Sequence, residues 1–373
     1  MFLFSTCQVG AETVFKKEVL RLFPSFRLSF SRPGFLTFKA PEQTPEQTMD
    51  AVFQFVNRSV FARTAALSIG KVQQEKSEST EDFTAIADKI WEIAEQNRVF
   101  VNRIHVFRRD LLPPGVNGFE PTGQTPELQI LYNILVERSP KPKFLGTNHH
   151  NSQQQALPEE TVMSVVEVDP GNYFVGIHTI SAESPIQSYY PGGILPLEIP
   201  DNAVSRAWLK FEEGIRWAGF PIVEGDCCLD IGASPGGGSQ VLLARGATVL
   251  GVDPAAIDPV VLNHPQFTHL QNRISQTKRM LYRNVRWLIA DMNVAPNYTL
   301  EVLEELANRK EIPLCGMLFT LKLFQWQLAD HLPSYAERLR CWGFNDVRIK
   351  QLAFNRQEVM VAASRQLSVA GSQ

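Results

Sequence analysis

Apolar positions along the first seventy residues change period in a definite order. Phe2–Ser5 reads as a short strand, and Ala11, Phe15, Val19 and Leu22 then recur at the spacing that places them on one helical face. Phe26, Leu28 and Phe30 alternate with polar neighbours, Pro33-Gly34 supplies a turn, and Phe35–Phe38 runs back as a strand. A second helix is expected over Thr48–Val56 and a further strand over Ala65–Val72. The polar stretch Gln73–Asp82 has no period and reads as a linker or an exposed helix start. Helical spacing resumes at Phe83–Gln96, followed by a strand over Val99–Phe107 and a helix over Glu127–Glu137. Val162–Val168 and Tyr173–Ile180 predict a hairpin across Asp169-Pro170-Gly171-Asn172, and the Gln- and Asn-rich Leu145–Glu160 reads as a loop.

The β-α-β-β-α-β order of residues 1–72 predicts an α+β, ferredoxin-like domain. Residues 73–183 form a second α+β unit. Ser184–Pro200 carries Pro185, Pro191, Pro196, Pro200 and Gly192-Gly193, the composition of a stiff connector, so 184–204 is expected to link to a last domain. That domain, 205–364, alternates strands and helices one for one, with strands at Cys227–Ile231, Thr248–Val252, Phe267–Leu270, Arg286–Ala290, Pro313–Leu323, Val347–Leu352 and Glu358–Ala363. The alternation predicts a Rossmann-like α/β fold, its mostly parallel sheet closed by an antiparallel pair made of the last two strands. Residues 365–373 read as a flexible tail.

A length of 373 residues accommodates two or three domains at roughly 150 residues each. With 44% hydrophobic and 20% charged residues, the composition is that of a globular chain rather than a disordered one. The longest apolar runs fall short of the roughly 18 residues a membrane helix needs, and the first residues lack a basic segment before an apolar one, so a cytoplasmic protein is expected. Five cysteines without a Cys-x-x-Cys pair read as reduced core residues, and His149-His150 in a polar loop reads as solvated, so no metal is expected. A formal charge of −3 neither announces nor excludes a nucleic-acid partner, because a net value averages over faces.

The chemistry concentrates after residue 204. Asp230-Ile231-Gly232-Ala233-Ser234-Pro235-Gly236-Gly237-Gly238-Ser239 follows an apolar strand and opens a helix, where a glycine-rich turn lets backbone approach a nucleotide-like ligand. Asp253 ends the next strand and is suited to ribose hydroxyls. NAD and S-adenosylmethionine both carry such a ribose, but Ser234-Pro235 interrupts the spacing a pyrophosphate loop requires. Four further polar residues fall at strand ends or on the helix before the first strand: Lys210, Asp291, Lys322 and Glu358. Lys322 lies inside an apolar strand, where a charge is costly without partners. A lysine desolvated beside another cation acquires a lowered pKa and accepts a proton, the role expected of Lys322; Asp291 and Glu358 act in the opposite direction on that pKa and orient the lysines, and Lys210 either depresses Lys322 or positions the hydroxyl, a balance that sequence leaves open. Asp291-Met292-Asn293-Val294 lacks the Pro-Pro stretch of base N-methylation, and no cysteine sits where carbon methylation needs one.

Asp-x-Gly-x-x-Pro-Gly-Gly resembles the first motif of the S-adenosylmethionine-dependent, FtsJ-like 2′-O-ribose methyltransferases, and the Lys210, Asp291, Lys322, Glu358 series is similar to their catalytic tetrad. With a ferredoxin-like and a THUMP-like RNA-binding unit before it, and Ser205-Arg206-x-x-Leu209-Lys210-x-Glu212-Glu213 leading into it, the whole resembles the bacterial RlmM family. The resemblance implies methylation of a cytidine 2′-hydroxyl in 23S, large-subunit ribosomal RNA, with Lys322 as base. It also implies S-adenosyl-L-methionine held by Ser205, Asp230, Gly232, Ser234, Pro235, Gly236, Gly237, Gly238, Asp253, Asn272 and Asp291. Two positions depart from the family pattern. Gly238 stands where a Trp or Tyr is usual, which is expected to loosen the cofactor wall, and an acid expected to contact adenine is replaced around Asn272 or Arg273. For RNA contact the sequence offers Arg273, Lys278, Arg279, Arg283 and Arg286, with Tyr282 and Trp287 to stack on bases, the alternative being a solvated helix face with Trp287 in the core, and Arg108-Arg109 and Lys141-Pro142-Lys143 earlier. The alternative is an RNA-binding ribosome assembly factor that keeps the fold and has lost catalysis.

Overall fold

The rhythm of the first seventy residues becomes β1 (Phe2–Thr6), α1 (Glu12–Leu22), β2 (Arg27–Arg32), β3 (Phe35–Lys39), α2 (Pro45–Arg58) and β4 (Thr64–Gln73). The strands lie side by side as β2-β3-β1-β4, each neighbour antiparallel. Phe15 of α1 meets Phe38 and Phe55 edge-on, with ring centroids 5.8 and 5.9 Å apart, which seats both helices on the sheet. This computed structural model describes residues 1–42, 45–74, 79–140 and 154–365. His149-His150, Lys141-Pro142-Lys143 and all of the expected tail after Arg365 lie outside the described residues.

The sheet does not end at β4. α3 (Thr80–Gln96), β5 (Arg103–Arg108), α4 (Pro126–Glu137), β6 (Thr161–Asp169) and β7 (Asn172–Thr179) follow, and the strands continue the sheet in the order β4-β7-β6-β5. β7 is antiparallel to both β4 and β6, and β5 runs parallel to β6. One seven-stranded sheet therefore serves both segments that the sequence pattern separates at residue 72. Gly176 is required at the β4–β7 seam, since a Cβ there would fall 2.7 Å from the Leu67 carbonyl and into the Phe4 ring. The start of α3 falls in the polar stretch expected as a linker or an exposed helix start, the second of which the structure shows at Ser79. Ser79 accepts from the Asp82 amide at 3.1 Å while Asp82 accepts from the Ser79 amide at 3.2 Å, a reciprocal cap that satisfies two otherwise orphaned donors.

The chain divides into two units, Met1–Pro196 and Leu197–Gln373. The second unit contains α5 (Ala207–Ala218), β8 (Cys227–Ile231), α6 (Gly237–Leu243), β9 (Thr248–Val252), α7 (Pro259–Leu262), β10 (Phe267–Leu270), β11 (Trp287–Ala290), α8 (Pro296–Ala307), β12 (Gly316–Lys322), α9 (Leu332–Cys341), β13 (Asp346–Lys350) and β14 (Glu358–Ser364). Strand order is β10-β9-β8-β11-β12-β14-β13. The first five strands are parallel, and β14 inserts antiparallel between β12 and β13, as the alternation and the closing pair predict. The order reverses beside β8, the switch point at which α/β sheets open a crevice at their carboxyl ends. α5 lies close on the sheet at Gly214, where a Cβ would stand 3.0 Å from Leu318 and 3.1 Å from Met360. Among the described residues, no helix is long and apolar enough to cross a membrane.

Candidate active site

Beside the switch point the second unit holds a cavity of about 500 Å³, within the usual size range of small-molecule sites. The turn from β8 into α6 forms one wall, and Gly232, Ser234, Pro235, Gly237 and Gly238 line it. The glycines follow from crowding. A side chain at Gly232 (φ +76°) would come within 3.0 Å of the Asp291 carbonyl, and one at Gly237 would collide with the Ser205 hydroxyl. Ser205 and Asp230 also line the cavity, whereas Gly236, Asp253 and Asn272 do not. Asp253 acts on the turn, accepting from the Ser234 amide at 3.1 Å and the Ala255 amide at 2.7 Å. Asn272 is exposed beyond the end of β10.

Asp230 is buried, and its Oδ2 accepts from the Ser239 hydroxyl at 2.7 Å. Burial, reinforced by the Asp291 and Asp253 charges and only partly offset by Ser239, raises its carboxyl to about 7. Among the described residues no cation balances it. A cavity walled by bare backbone and floored by a buried acid in want of a positive partner fits a cofactor that carries an ammonium group on a short chain, as S-adenosylmethionine does.

In the same cavity the four expected polar residues converge. Lys322 Nζ donates to Asp291 Oδ1 at 2.7 Å and to Glu358 Oε2; Lys210 Nζ donates to Asp291 Oδ2 and lies 3.3 Å from Glu358 Oε1. Two ammonium groups and two carboxylates form a closed, formally neutral ring. The sheet sets half of it, because Lys322 and Glu358 are register partners across β12 and β14. Burial disfavours the Asp291 carboxylate, but the Lys210 and Lys322 charges outweigh it and hold its carboxyl far below the usual range. The same balance, left open by the sequence, goes against a lowered pKa for Lys322. Burial alone lowers its pKa, yet Asp291 and Glu358 overcome burial and raise it above the ordinary 10.5. The cation expected to depress it, Lys210, is itself held by the same two acids.

Sequence reasoning missed three supports. Thr320, fully buried two residues before Lys322, donates to Asp291 Oδ1 at 2.6 Å; a lone hydroxyl in an apolar strand is its only signal. Glu213, fully buried on α5, accepts from the Ala353 and Phe354 amides at 3.0 Å each, tying Lys210's helix to the loop that leads to Glu358. Phe211 takes up the space beside Gly238, where a Cβ would stand 2.9 Å from its ring and from Ile289. The wall expected to be loosened by Gly238 is therefore packed from α5.

The anticipated RNA contacts divide. Tyr282 is buried with its hydroxyl bonded to Thr277, and Trp287 is buried against Phe220 while its indole donates to Asp226 at 3.0 Å, so neither ring is available to stack on bases. Arg286 pairs with Asp226 at 3.2 Å, Arg108 with Glu167 at 2.5 Å and Arg109 with Asp169 at 3.2 Å. Arg273, Lys278 and Arg283 remain exposed. No group of three His, Cys, Asp or Glu among the described residues is arranged to hold a metal ion.

The FtsJ-like methyltransferase family matches residues 203–333, an interval that includes the glycine-rich turn, Lys210, Asp291 and Lys322. Ribosomal RNA large subunit methyltransferase M of Hahella chejuensis is 30% identical over 277 residues, covering 68% of this chain and 69% of that relative. The chain belongs to this family. The protein of the same name from Xylella fastidiosa is 32% identical over 181 residues, 46% of this chain and 50% of the relative. That from Musicola paradisiaca is 29% identical over 228 residues, 57% and 59% respectively. The matched part of the chain thus spans half the length of the Xylella member of the family and somewhat more of the others. Of the four ring residues, Glu358 alone lies beyond the FtsJ-like interval, at the start of the strand that pairs with Lys322.

Proposed function

We propose that this protein transfers a methyl group from S-adenosylmethionine to a ribose 2′-hydroxyl of large-subunit ribosomal RNA, a cytidine in the 23S molecule. The observation that carries the reading is the closed ring of Lys210, Asp291, Lys322 and Glu358 lining one cavity together with the glycine-rich turn. Ser205, Asp230, Gly232, Ser234, Pro235, Gly237, Gly238 and Asp291 would hold the cofactor, Asp230 meeting its ammonium, with Asp253 and Gly236 shaping the turn. When bound, the cofactor supplies an electrophilic sulfonium methyl. Lys322 Nζ is the group placed to take the hydroxyl proton, and Asp291 and Glu358 fix that nitrogen from two sides, so its lone pair has one direction. Because these acids raise its pKa, the neutral amine is scarce near pH 7 and the reaction gains with rising pH. The names of the family's members support ribosomal RNA as substrate.

In the same reading the enzyme is cytoplasmic, residues 1–72 are a ferredoxin-like unit and 73–183 a THUMP-like RNA-binding unit, joined through 184–204 to a catalytic domain over 205–364. The order β2-β3-β1-β4 supports the first assignment. The test is transfer of labelled methyl to unmodified large-subunit ribosomal RNA by wild type and Lys322→Ala, with nuclease mapping of the label. Label on a ribose hydroxyl that vanishes in the variant is expected. Intact RNA binding without S-adenosylmethionine binding or transfer would favour the assembly-factor alternative.

A further inference from the structure

The antiparallel pairing that joins Lys322 to Glu358 continues past the end of β12, since the Leu323 amide donates to the Gln357 carbonyl at 2.9 Å. The next residue is Phe324, whose side chain lines the cavity beside Lys322 yet is 55% exposed. Arg356, the residue before Gln357, also lines the cavity and is exposed. A large aromatic ring left half in water is unremarkable when scattered on a surface, but this one sits on the lip above the proposed base. Tyr282 and Trp287, the rings that the sequence offered for stacking, are both buried.

We infer that Phe324 is the stacking platform for the nucleobase of the nucleotide being methylated. The inference rests on the 2′-O-methyltransferase reading. A ribose whose 2′-hydroxyl reaches Lys322 carries its base outward toward this lip, and single-stranded bases are held in proteins by stacking on aromatic faces. Stacking is tolerant of base identity, so Phe324 contributes position and affinity while the choice of nucleotide comes from elsewhere.

The test compares wild type with Phe324→Ala, Phe324→Leu and Phe324→Tyr in the full-length protein. The exposed position keeps these substitutions out of the core, and Phe324→Tyr, which keeps the ring, serves as the control. The probe is short single-stranded oligocytidylate, its binding measured by fluorescence anisotropy, alongside KM and kcat for ribosomal RNA. Loss of one stacked base corresponds to an affinity about 5- to 150-fold lower. Phe324→Ala and Phe324→Leu should show that loss, with a raised KM for RNA, while Phe324→Tyr stays near wild type and S-adenosylmethionine affinity is unchanged. Oligonucleotide that binds wild type and Phe324→Leu alike, or binds neither, overturns the inference. The two readings fail separately: wild type that binds the oligonucleotide through Phe324 but transfers no methyl sinks the activity, whereas full transfer by Phe324→Leu with unchanged KM sinks the platform.

Discussion

The charge balance around Lys322 makes a quantitative prediction about pH. Its two carboxylate partners outweigh burial and raise the ammonium pKa above its ordinary value, so the neutral amine is a small minority near neutral pH and each unit of rising pH increases it tenfold. If Lys322 is the base, single-turnover methyl transfer should climb roughly tenfold per pH unit from 7 to 9 without levelling. Asp291→Asn removes one of the two acids, at 2.7 Å from Nζ. The rising limb should then move to lower pH by about one to three units, the usual effect of a single close opposite charge. Lys322→Arg keeps the positive charge but cannot give up its proton, so its rate should fall by about 10²- to 10⁴-fold at every pH. Rapid-quench assays with labelled cofactor across pH 6.5–9.5 provide the readout. A wild-type plateau below pH 8, or substantial activity in Lys322→Arg, would refute the argument.

Three further outcomes follow from the geometry. His178 in β7 is buried, and burial, opposed in part by the Ser188 carbonyl, lowers its imidazole to about 4 from 6.5. The unfolded chain then binds the proton first, so stability is full above about pH 6.5 and falls by about 3 kcal/mol down to pH 4. His105, its ring 5.9 Å away, is lowered in the same sense. Urea midpoints at pH 7.5 and 5.0 should differ less in His178→Gln than in wild type, and equal differences would contradict the assignment. Gly238→Ala, crowding Phe211 and Ile289 at 2.9 Å, should cost about 1–3 kcal/mol and weaken cofactor binding. Adding Phe211→Leu should relieve both effects in calorimetry, and a double variant no better than the single would count against the packing argument. Thr320→Val deletes a 2.6 Å hydrogen bond to Asp291; a stability loss of about 1.5–3 kcal/mol and a lower kcat at unchanged cofactor affinity are expected, and unaltered kcat would remove Thr320 from the site's support.

Much of the site was legible because its parts obey local rules. The turn from Asp230 to Gly238 advertises itself by glycines at the end of an apolar strand, and Lys322 by a charge where strand periodicity allows none. What local pattern cannot carry is pairing at a distance. β5 beside β6, and β4 beside β7, depend on which edges meet, and no residue type encodes that. Partner-dependent chemistry was hidden in the same way. The sequence names the two acids that oppose the depression of Lys322 by Lys210 but not which side prevails, and Arg108, Arg109 and Arg286 read as phosphate ligands until their carboxylates appear. Tyr282 and Trp287 sit in a basic stretch, and only packing turns them inward.

The pairing of β4 with β7 bears on how the protein is made. About a hundred residues of chain separate Gln73 from Asn172, so at roughly 5–20 residues per second the nascent chain extends for some 5–20 s after β4 is complete before its partner is translated. During that interval β4 exposes an unpaired row of backbone donors and acceptors, a template for another chain. A ribosome stalled in this window, or a truncation anywhere between these strands, is where aggregation of this protein should begin.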